Sequence, residues 1–581
     1  MPLRGLTAEQ LDAVTHDGNL LLTACPGAGK TKTLVSKIAY QLNQQQGRQK
    51  RRLVALTYTN VAAETILERL DAYGIDSNNL WVGTIHSFCL EWVIKPYVGY
   101  SSRISKGYRI IDEYEQRKII NKVKSQFKIG IFDDLPTQLN ECFEVQSKRN
   151  TSIFNAVTEY HNILLENKLI DFDLILTISL SLLTQYNVIG ERLASLFSSI
   201  MVDEFQDTNQ IQYSILKFIL SHKSTEVTFI GDIDQAIYTG LGAVVKDKVQ
   251  IELELGIAPV TEKTLSGCFR STQTIIDYYS TYQDHSINIL SLAPHPPSAS
   301  AVRYDADVHR DDLGTFIGKI IDRHIINGVP TNEIVVIAPQ WTDVIKLGGL
   351  LRKSKPNLDF NAPGISPISK SQDNPWVYLI RLFFSPISGK TYSKRQRLAS
   401  YLTEGLGGMG FTFWNNKDSN KLILTSVNKL VPYSDGSVEE FIESIITEFS
   451  DLISLNIDAY SQILDSKNAL IESTSQRINQ FNIINDASTL SSYFSEMRGI
   501  DVTSCHSTKG EEYDVVIATG LVRGKLPHWN DIIGKEQDHT DYMARRLLYV
   551  ISSRARKYLY LISEKGHTTR RGDALIPTPQ L

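Results

Sequence analysis

An apolar run, Asn19–Ala24, passes directly into Cys25-Pro26-Gly27-Ala28-Gly29-Lys30-Thr31 and then into a helix-patterned segment. A buried strand, a glycine turn and a helix in that succession belong to a parallel α/β layer. The turn also carries chemistry. Its backbone N–H groups can wrap a phosphate at the helix N-terminus, with Lys30 reaching the outer phosphates and the Thr31 hydroxyl holding Mg²⁺. The strict form of this loop opens with glycine; here the place is held by Ala24.

Further β-rich runs at Leu53–Leu56, Ile200–Val202, Val227–Ile230, Ile334–Ala338, Val515–Ala518 and Tyr558–Ile562 alternate with longer helical segments. This alternation predicts parallel sheets. Between Lys106 and Asn167 the pattern is helical and charged, and Thr391–Leu490 is polar, Ser/Asn-rich and largely helical, so both read as insertions. A chain of 581 residues is too long for one compact unit at roughly 100–200 residues per domain. No repeat period of a solenoid is visible.

Val202-Asp203-Glu204-Phe205-Gln206-Asp207-Thr208 follows another apolar strand and places two adjacent carboxylates at a strand's C-terminal end, where α/β sites form. Alone, such a pair is usually a solvated turn. Beside a phosphate loop it supplies what phosphoryl transfer needs: Asp203 for the metal shell and Glu204 to orient and deprotonate water.

Composition narrows the class. Hydrophobic residues make up 42% and charged residues 21%, the balance of a globular chain. With a net charge of −4, a polyanion site must be local. Cys25, Cys89, Cys142, Cys268 and Cys505 form no CxxC pair and read as reduced thiols. No apolar stretch approaches the roughly 20 residues of a bilayer span, and Met1–Gln10 has no signal-peptide pattern. The expectation is a cytoplasmic protein without membrane contact. The cluster Arg48, Lys50, Arg51 and Arg52 reads as a solvated loop, and Arg545, Arg546, Arg556 and Lys557 receive no role.

Read in order, the chain resembles superfamily 1A helicases of the UvrD/Rep/PcrA kind. The resemblance rests on Leu6–Gln10, the phosphate loop, Thr57–Asn60, Gly83–Ser87, Asp203–Thr208, Gly231–Tyr238, Phe269-Arg270-Ser271, His506–Glu512 and Arg545–Ala555. It implies an α/β fold of two RecA-like parallel-sheet motor domains, each with a mainly helical insertion. The first would comprise residues 1–99 and 166–264, with insertion 100–165. The second would comprise 265–385 and 495–581, with a reduced insertion 386–494.

The resemblance also implies roles, with ATP and Mg²⁺ as cofactors. Gln10 would bond adenine, and the base would lie between Phe269 and the stem of Lys32. Gln235 would sense the outermost phosphate, Glu512 would bond the ribose, and Arg270 and Arg554 would act as arginine fingers. Tyr58, Asn60, Thr84, His86, Tyr238 and His506 would line a groove for single-stranded DNA, where phosphate donors and aromatic faces are required.

The sequence departs from the family pattern in places. Where the family continues from the tyrosine into Trp-Arg-Gly-Ala, this chain has Thr239-Gly240-Leu241-Gly242-Ala243. Leu265–Arg270 lacks the usual Gln and Asn before the aromatic, and Met543 and Ala544 replace acidic residues before the double Arg. Two readings follow. One is an ATP-driven helicase moving 3′ to 5′ on single-stranded DNA or on a duplex with a single-stranded end. The other is a DNA-responsive ATPase subunit that works with a nuclease partner, resembling the helicase-like subunit of antiphage systems such as Gabija. No nuclease signature of its own is visible, and a general P-loop kinase or GTPase fits poorly with Arg270, Glu512 and Arg554.

Overall fold

The computed structural model describes residues 3–45, 51–111, 113–130, 133, 135–149, 151–237, 242–285, 287–295, 300–362, 366–368, 374–388, 391–413, 419–431, 436–481, 483–494, 499–569 and 571–581. Two six-stranded sheets organise them. The first contains β1 (Leu20–Ala24), β2 (Arg52–Thr57), β3 (Leu80–Thr84), β4 (Phe197–Asp203), β5 (Glu226–Gly231) and β6 (Thr261–Leu265). Their order is β3-β2-β4-β5-β1-β6, with every pairing parallel.

The second sheet contains β7 (Ala301–Asp305), β8 (Ile334–Ala338), β9 (Phe360–Asn361), β10 (Ile500–Ser504), β11 (Tyr513–Ala518) and β12 (Ala555–Ile562). Its order is β7-β12-β11-β8-β10-β9, again all parallel. The chain is therefore α/β, with two RecA-like parallel-sheet lobes.

Strand character follows position in each sheet. β1 and β8, Leu-Leu-Leu-Thr-Ala and Ile-Val-Val-Ile-Ala, are buried along their whole length, as strands covered by helices on both faces must be. β6 reads Thr-Glu-Lys-Thr-Leu and lies at an edge, where alternate side chains reach solvent. The register Leu22↔Ile230 and Leu22↔Lys263 sets the end of β1 level with β5 and β6, so the glycine loop leaves beside the ends of both.

Helices cover the sheets. Lys30–Gln45 follows the glycine loop and buries Leu34, Val35, Ile38 and Ala39. Gln537–Ser552 buries Leu547, Leu548, Val550 and Ile551. One apolar cluster runs from β1 and Lys30–Gln45 through Cys268, Tyr279 and Tyr549 into β8 and β11, so the two lobes share a packed seam. Each fully buried aliphatic or aromatic side chain contributes roughly 1.5–3 kcal/mol.

Outside the sheets lie two mainly helical bodies. Helices Glu113–Gln126 and Ser152–Glu166 stand above a two-stranded ladder that pairs Arg109–Ile110 with Leu169–Ile170. Helices Tyr392–Gly408, Val438–Leu452 and Ser461–Phe481 build the second body around Phe441, Ile445, Phe449 and Leu470. Helix Pro375–Phe384 supplies Trp376, Leu379 and Ile380 to this same core. Among the described residues no single helix is long and apolar enough to cross a membrane.

Candidate active site

The glycine loop folds as its sequence demands. Gly27 and Gly29 both take the left-handed backbone, at φ 71° and 79°. A Cβ at Gly27 would lie 2.5 Å from the Cβ of Arg270, and one at Gly29 would lie 2.8 Å from Nε2 of Gln10. The loop is thus clasped from both sides. Gln10 is fully buried; its Nε2 donates to the Ala28 carbonyl at 2.9 Å, and its Oε1 accepts from the Thr7 N–H at 3.1 Å. The Phe269 N–H donates to the Gly27 carbonyl at 2.9 Å.

Phe269 itself is 41% exposed, and the Lys32 amino group donates to the Gly5 carbonyl. Lys30 and Thr31 open the helix that leaves the loop, and Ala24 closes the strand that enters it.

Opposite the loop, β4 ends on Asp203. Glu204 follows in the left-handed region at φ 52°, a conformation that costs a non-glycine residue about 1–3 kcal/mol. The bend is held locally: the Glu204 N–H donates to Asp203 Oδ1 at 3.1 Å, and Gln206 Nε2 donates to Glu204 Oε2 at 2.6 Å. Burial and the neighbouring Glu204 push the Asp203 carboxyl up to about 7, against the pull of Lys30. For Glu204 burial pushes upward, but Lys30, Lys509, the Gln206 amide and Arg554 outweigh it and hold the carboxyl below its ordinary value. Two adjacent acids are therefore driven apart, the pattern by which a site separates its proton roles.

The second lobe closes the site. Arg554 is 1% exposed and donates from Nη2 to Gln235 Oε1 at 2.8 Å, from Nε to the Val550 carbonyl at 3.0 Å and from Nη2 to Ser553 Oγ at 3.1 Å. Gln235 in turn donates through Nε2 to Asp232 Oδ2 at 2.8 Å. Arg270 pairs with Glu512 at 2.8 Å and donates to the Ser553 carbonyl at 2.9 Å. Glu512 also meets Arg556 at 3.1 Å. Burial, then Arg270, lowers Arg554 to about 9. It is still a cation at neutral pH, aimed at the acids of the first lobe.

Several contributors received no role from sequence. Lys509 bonds the carboxylate of Asp207 and donates to the Gln235 carbonyl at 3.2 Å, crossing between lobes. Gln206 Oε1 accepts from the Asp232 N–H at 3.1 Å. The signal available was position: each lies inside a segment already singled out, but a partner in another segment, 26 residues away for Gln206 and 302 for Lys509, is invisible in the linear chain.

One solvated reading is corrected, and two of the arginines without a role find partners. Arg51 is turned inward, donating to the carbonyls of Ala194, Phe197 and Ser224, two of which also accept from the Thr225 hydroxyl. Arg546 is buried against Tyr542 and bonds the Ile233 carbonyl, while Arg556 joins Glu333, Glu512 and Asp514. Arg546, on helix Gln537–Ser552, thus ties the second lobe to the loop after β5, whereas Arg556, on β12, closes a charge cluster within the second lobe. Arg48 and Lys50 lie outside the described residues.

The residues expected to meet a strand divide into groups. Tyr58, Thr84 and His86 line one cavity of about 440 Å³ that also reaches Asp203, Glu204 and Asp207. Tyr58 is 47% exposed, whereas His86 stands edge-on to Phe172 at 5.6 Å and burial holds its imidazole down at about 4, neutral at physiological pH. Thr84 is spent locally, capping the Ser87 N–H at 3.2 Å. Asn60, itself exposed, starts the helix Asn60–Ala72. His506 belongs to the second lobe, with Nδ1 3.3 Å from Cys505 Sγ. Tyr238 and residues 239–241 lie outside the described residues.

Comparison with known proteins agrees with this geometry. The family model of the UvrD/REP helicase N-terminal domain matches residues 6–252, and that of the UvrD-like helicase C-terminal domain matches 424–566, together more than half of the chain. The chain belongs to the UvrD-like helicase family. It is an ATP-hydrolysing enzyme of that family. It is 24% identical to the ATP-dependent DNA helicase PcrA of Staphylococcus aureus over 98% of this chain and 84% of that protein. The PcrA of Staphylococcus epidermidis is likewise 24% identical, over 96% of this chain and 83% of its own length.

The donor set of this UvrD-like site fits a magnesium nucleotide. Among the described residues no group of three or more acidic, His or Cys side chains converges into a metal cage. Mg²⁺ needs none, since it takes one or two protein oxygens and completes its octahedron with phosphate and water.

Proposed function

We propose that the chain is an ATP-driven motor that moves 3′ to 5′ along single-stranded DNA and separates duplex as it advances. The observation that supports this most is the continuous bond path Arg554, Gln235, Asp232, which joins the second lobe to the end of β5 in the first. A nucleotide bound between the lobes would alter that path, and lobe movement is how its hydrolysis reaches a strand held by both.

In this reading the N–H groups of the glycine loop and Lys30 hold the phosphate chain. Asp203 and Thr31 would hold Mg²⁺, which when bound neutralises charge on the phosphates. Glu204, ionised and pinned through Oε2 by Gln206, orients the attacking water and accepts its proton at Oε1. Gln235 senses the outermost phosphate, and Arg270 and Arg554 face the charge that develops there; such arginines are worth about 10³–10⁵ in rate. Gln10, Phe269, Lys32 and Glu512 are assigned to the nucleoside. Tyr58, Asn60, Thr84, His86, Tyr238 and His506 are assigned to the strand.

Stopped-flow translocation on end-labelled single strands tests the proposal: signal lag growing with strand length supports it, and DNA-stimulated hydrolysis without such a lag refutes it. A second reading, a DNA-responsive ATPase subunit working beside a nuclease in antiphage defence, is favoured by one observation. Gly240 and Leu241 stand where the family carries Trp and Arg, the side chains that stack a base and couple it to the nucleotide. Hydrolysis without movement, together with co-purification of a nuclease, would select it.

A further inference from the structure

Away from the cleft, the second lobe carries a concavity of about 560 Å³ between the edge strand β7, helix Leu313–Ile326 and the end of β12. Its volume lies within the range of small-ligand pockets. Three cations line it: Arg303 from β7, and Lys319 and Arg323 one helical turn apart on the helix. Among the described residues none of the three has a carboxylate within ion-pair distance. The carboxylate in the lining, Asp305, is engaged through Oδ1 by the N–H groups of Asp307 and Val308, each at 3.0 Å.

The remaining wall is aromatic and aliphatic, with Ile320, Leu561 and Ile562 beside three rings. Tyr304 is 49% exposed at the rim and Phe316 lines the interior. Tyr560 is fixed by the buried His324, whose Nε2 lies 2.9 Å from the phenol oxygen. His324 is itself packed against Tyr558 at 4.6 Å between ring centroids. Guanidinium groups recognise phosphate bidentately, and tyrosine and phenylalanine faces stack a flat ring.

We propose that this concavity is a second nucleotide site, in which Arg303, Lys319 and Arg323 take the phosphates and Tyr304 or Phe316 takes the base. It is separate from the hydrolysis cleft, since its lining shares no residue with the glycine loop, β4, Arg270 or Arg554. A free nucleoside phosphate and a single nucleotide of a bound strand present the same chemistry; we assign the free form, and strand binding separates the two sources.

Equilibrium dialysis of the full-length protein with radiolabelled ADP in the presence of Mg²⁺ reads the number of sites. The expected stoichiometry is two for the unsubstituted protein, and one for both Arg303→Glu/Arg323→Glu and Lys30→Ala. In the arginine double variant the lost site should weaken at least about ten-fold, while strand-stimulated ATPase keeps its kcat and the melting temperature is unchanged. A stoichiometry of one in the unsubstituted protein overturns the proposal, and so does a stoichiometry of two in a folded Arg303→Glu/Arg323→Glu protein. A gentler pair, Arg303→Gln/Arg323→Gln, serves if the charge reversal does not fold, and the same loss is required of it. Binding of an oligo-dT strand is measured in parallel: unchanged strand affinity in the double variant supports a free nucleotide, and loss of strand affinity with ADP stoichiometry intact overturns it.

Discussion

Arg554 and Gln235 lie 319 residues apart in the chain and meet at 2.8 Å across the cleft between the lobes. Arg554 spends its other N–H groups on its own lobe, on Val550, Ser553 and Glu511. The guanidinium is therefore pre-oriented, and a small lobe displacement moves its charge relative to Glu204 and Lys30. Arg554→Ala should lower kcat about 10³-fold or more with little effect on strand affinity, checked by ATPase and fluorescence-anisotropy titrations. Arg554→Lys should not restore the rate, because an ammonium cannot reproduce the planar fork that these bonds use.

Lys30→Ala should abolish ATPase activity while leaving the fold intact. Lys30 opposes the upward push on both Asp203 and Asp232 and helps to hold Glu204 down, so its loss leaves these acids close together without their shared cation. Retained hydrolysis in a steady-state assay would overturn the site assignment.

Asp203 predicts a pH dependence with a definite sign. Its carboxyl stands at about 7 in the folded protein, above its ordinary value of 3.8, so the folded state binds the extra proton between those limits. Stability from this group is complete below pH 3.8 and is lost as pH rises through about 7. Asp203→Asn should therefore raise the melting temperature of the nucleotide-free protein at pH 8 and leave it unchanged at pH 4, read by thermal melts in EDTA.

Gly29→Ala places a Cβ 2.8 Å from Gln10 Nε2 at φ 79°. That nitrogen is not free to move, being bonded to the Ala28 carbonyl. A loss of about 1–3 kcal/mol in stability and a larger loss in nucleotide affinity are expected, checked by denaturant melts and calorimetric titration. Gly18→Ala is the comparison: its φ of 91° gives similar strain, but its Cβ meets nothing within 4 Å, so nucleotide affinity should be unchanged.

Lys509→Met should loosen the lobes. The Asp207 carboxylate that Lys509 neutralises is almost fully buried, and burial pushes it up to about 6 even with that cation beside it. Leaving a buried carboxylate unpaired is costly, about 3–5 kcal/mol, and here the lobes can relieve it by parting. Faster amide exchange at residues 232–237 with unchanged exchange in β1 is the expected result.

Local and nearest-neighbour physics accounts for what the linear chain made legible. The buried strands β1, β8 and β11 announce themselves through unbroken apolar runs, because a central parallel strand is covered on both faces. The glycine loop is legible because a tight turn between a strand and a helix needs φ above zero, which glycine adopts most readily. The strands β3, β6, β7, β9 and β10 were not singled out. They are edge strands or carry polar residues, Thr261-Glu-Lys-Thr-Leu265 and Ala301-Val-Arg-Tyr-Asp305 among them, and their strand state comes from the ladder beside them.

The sequence alone determined the parallel α/β class, the glycine loop at Gly27–Thr31 and the paired acids at Asp203 and Glu204, since each follows from residue type and spacing within a few positions. Only the tertiary structure decided which groups meet: Arg554 with Gln235, Lys509 with Asp207, Arg51 with three carbonyls, and Arg303, Lys319 and Arg323 around one concavity with no carboxylate partner among the described residues. Ion pairs and hydrogen bonds depend on distances of about 3 Å in space, and chain order carries no record of them once the partners are hundreds of residues apart.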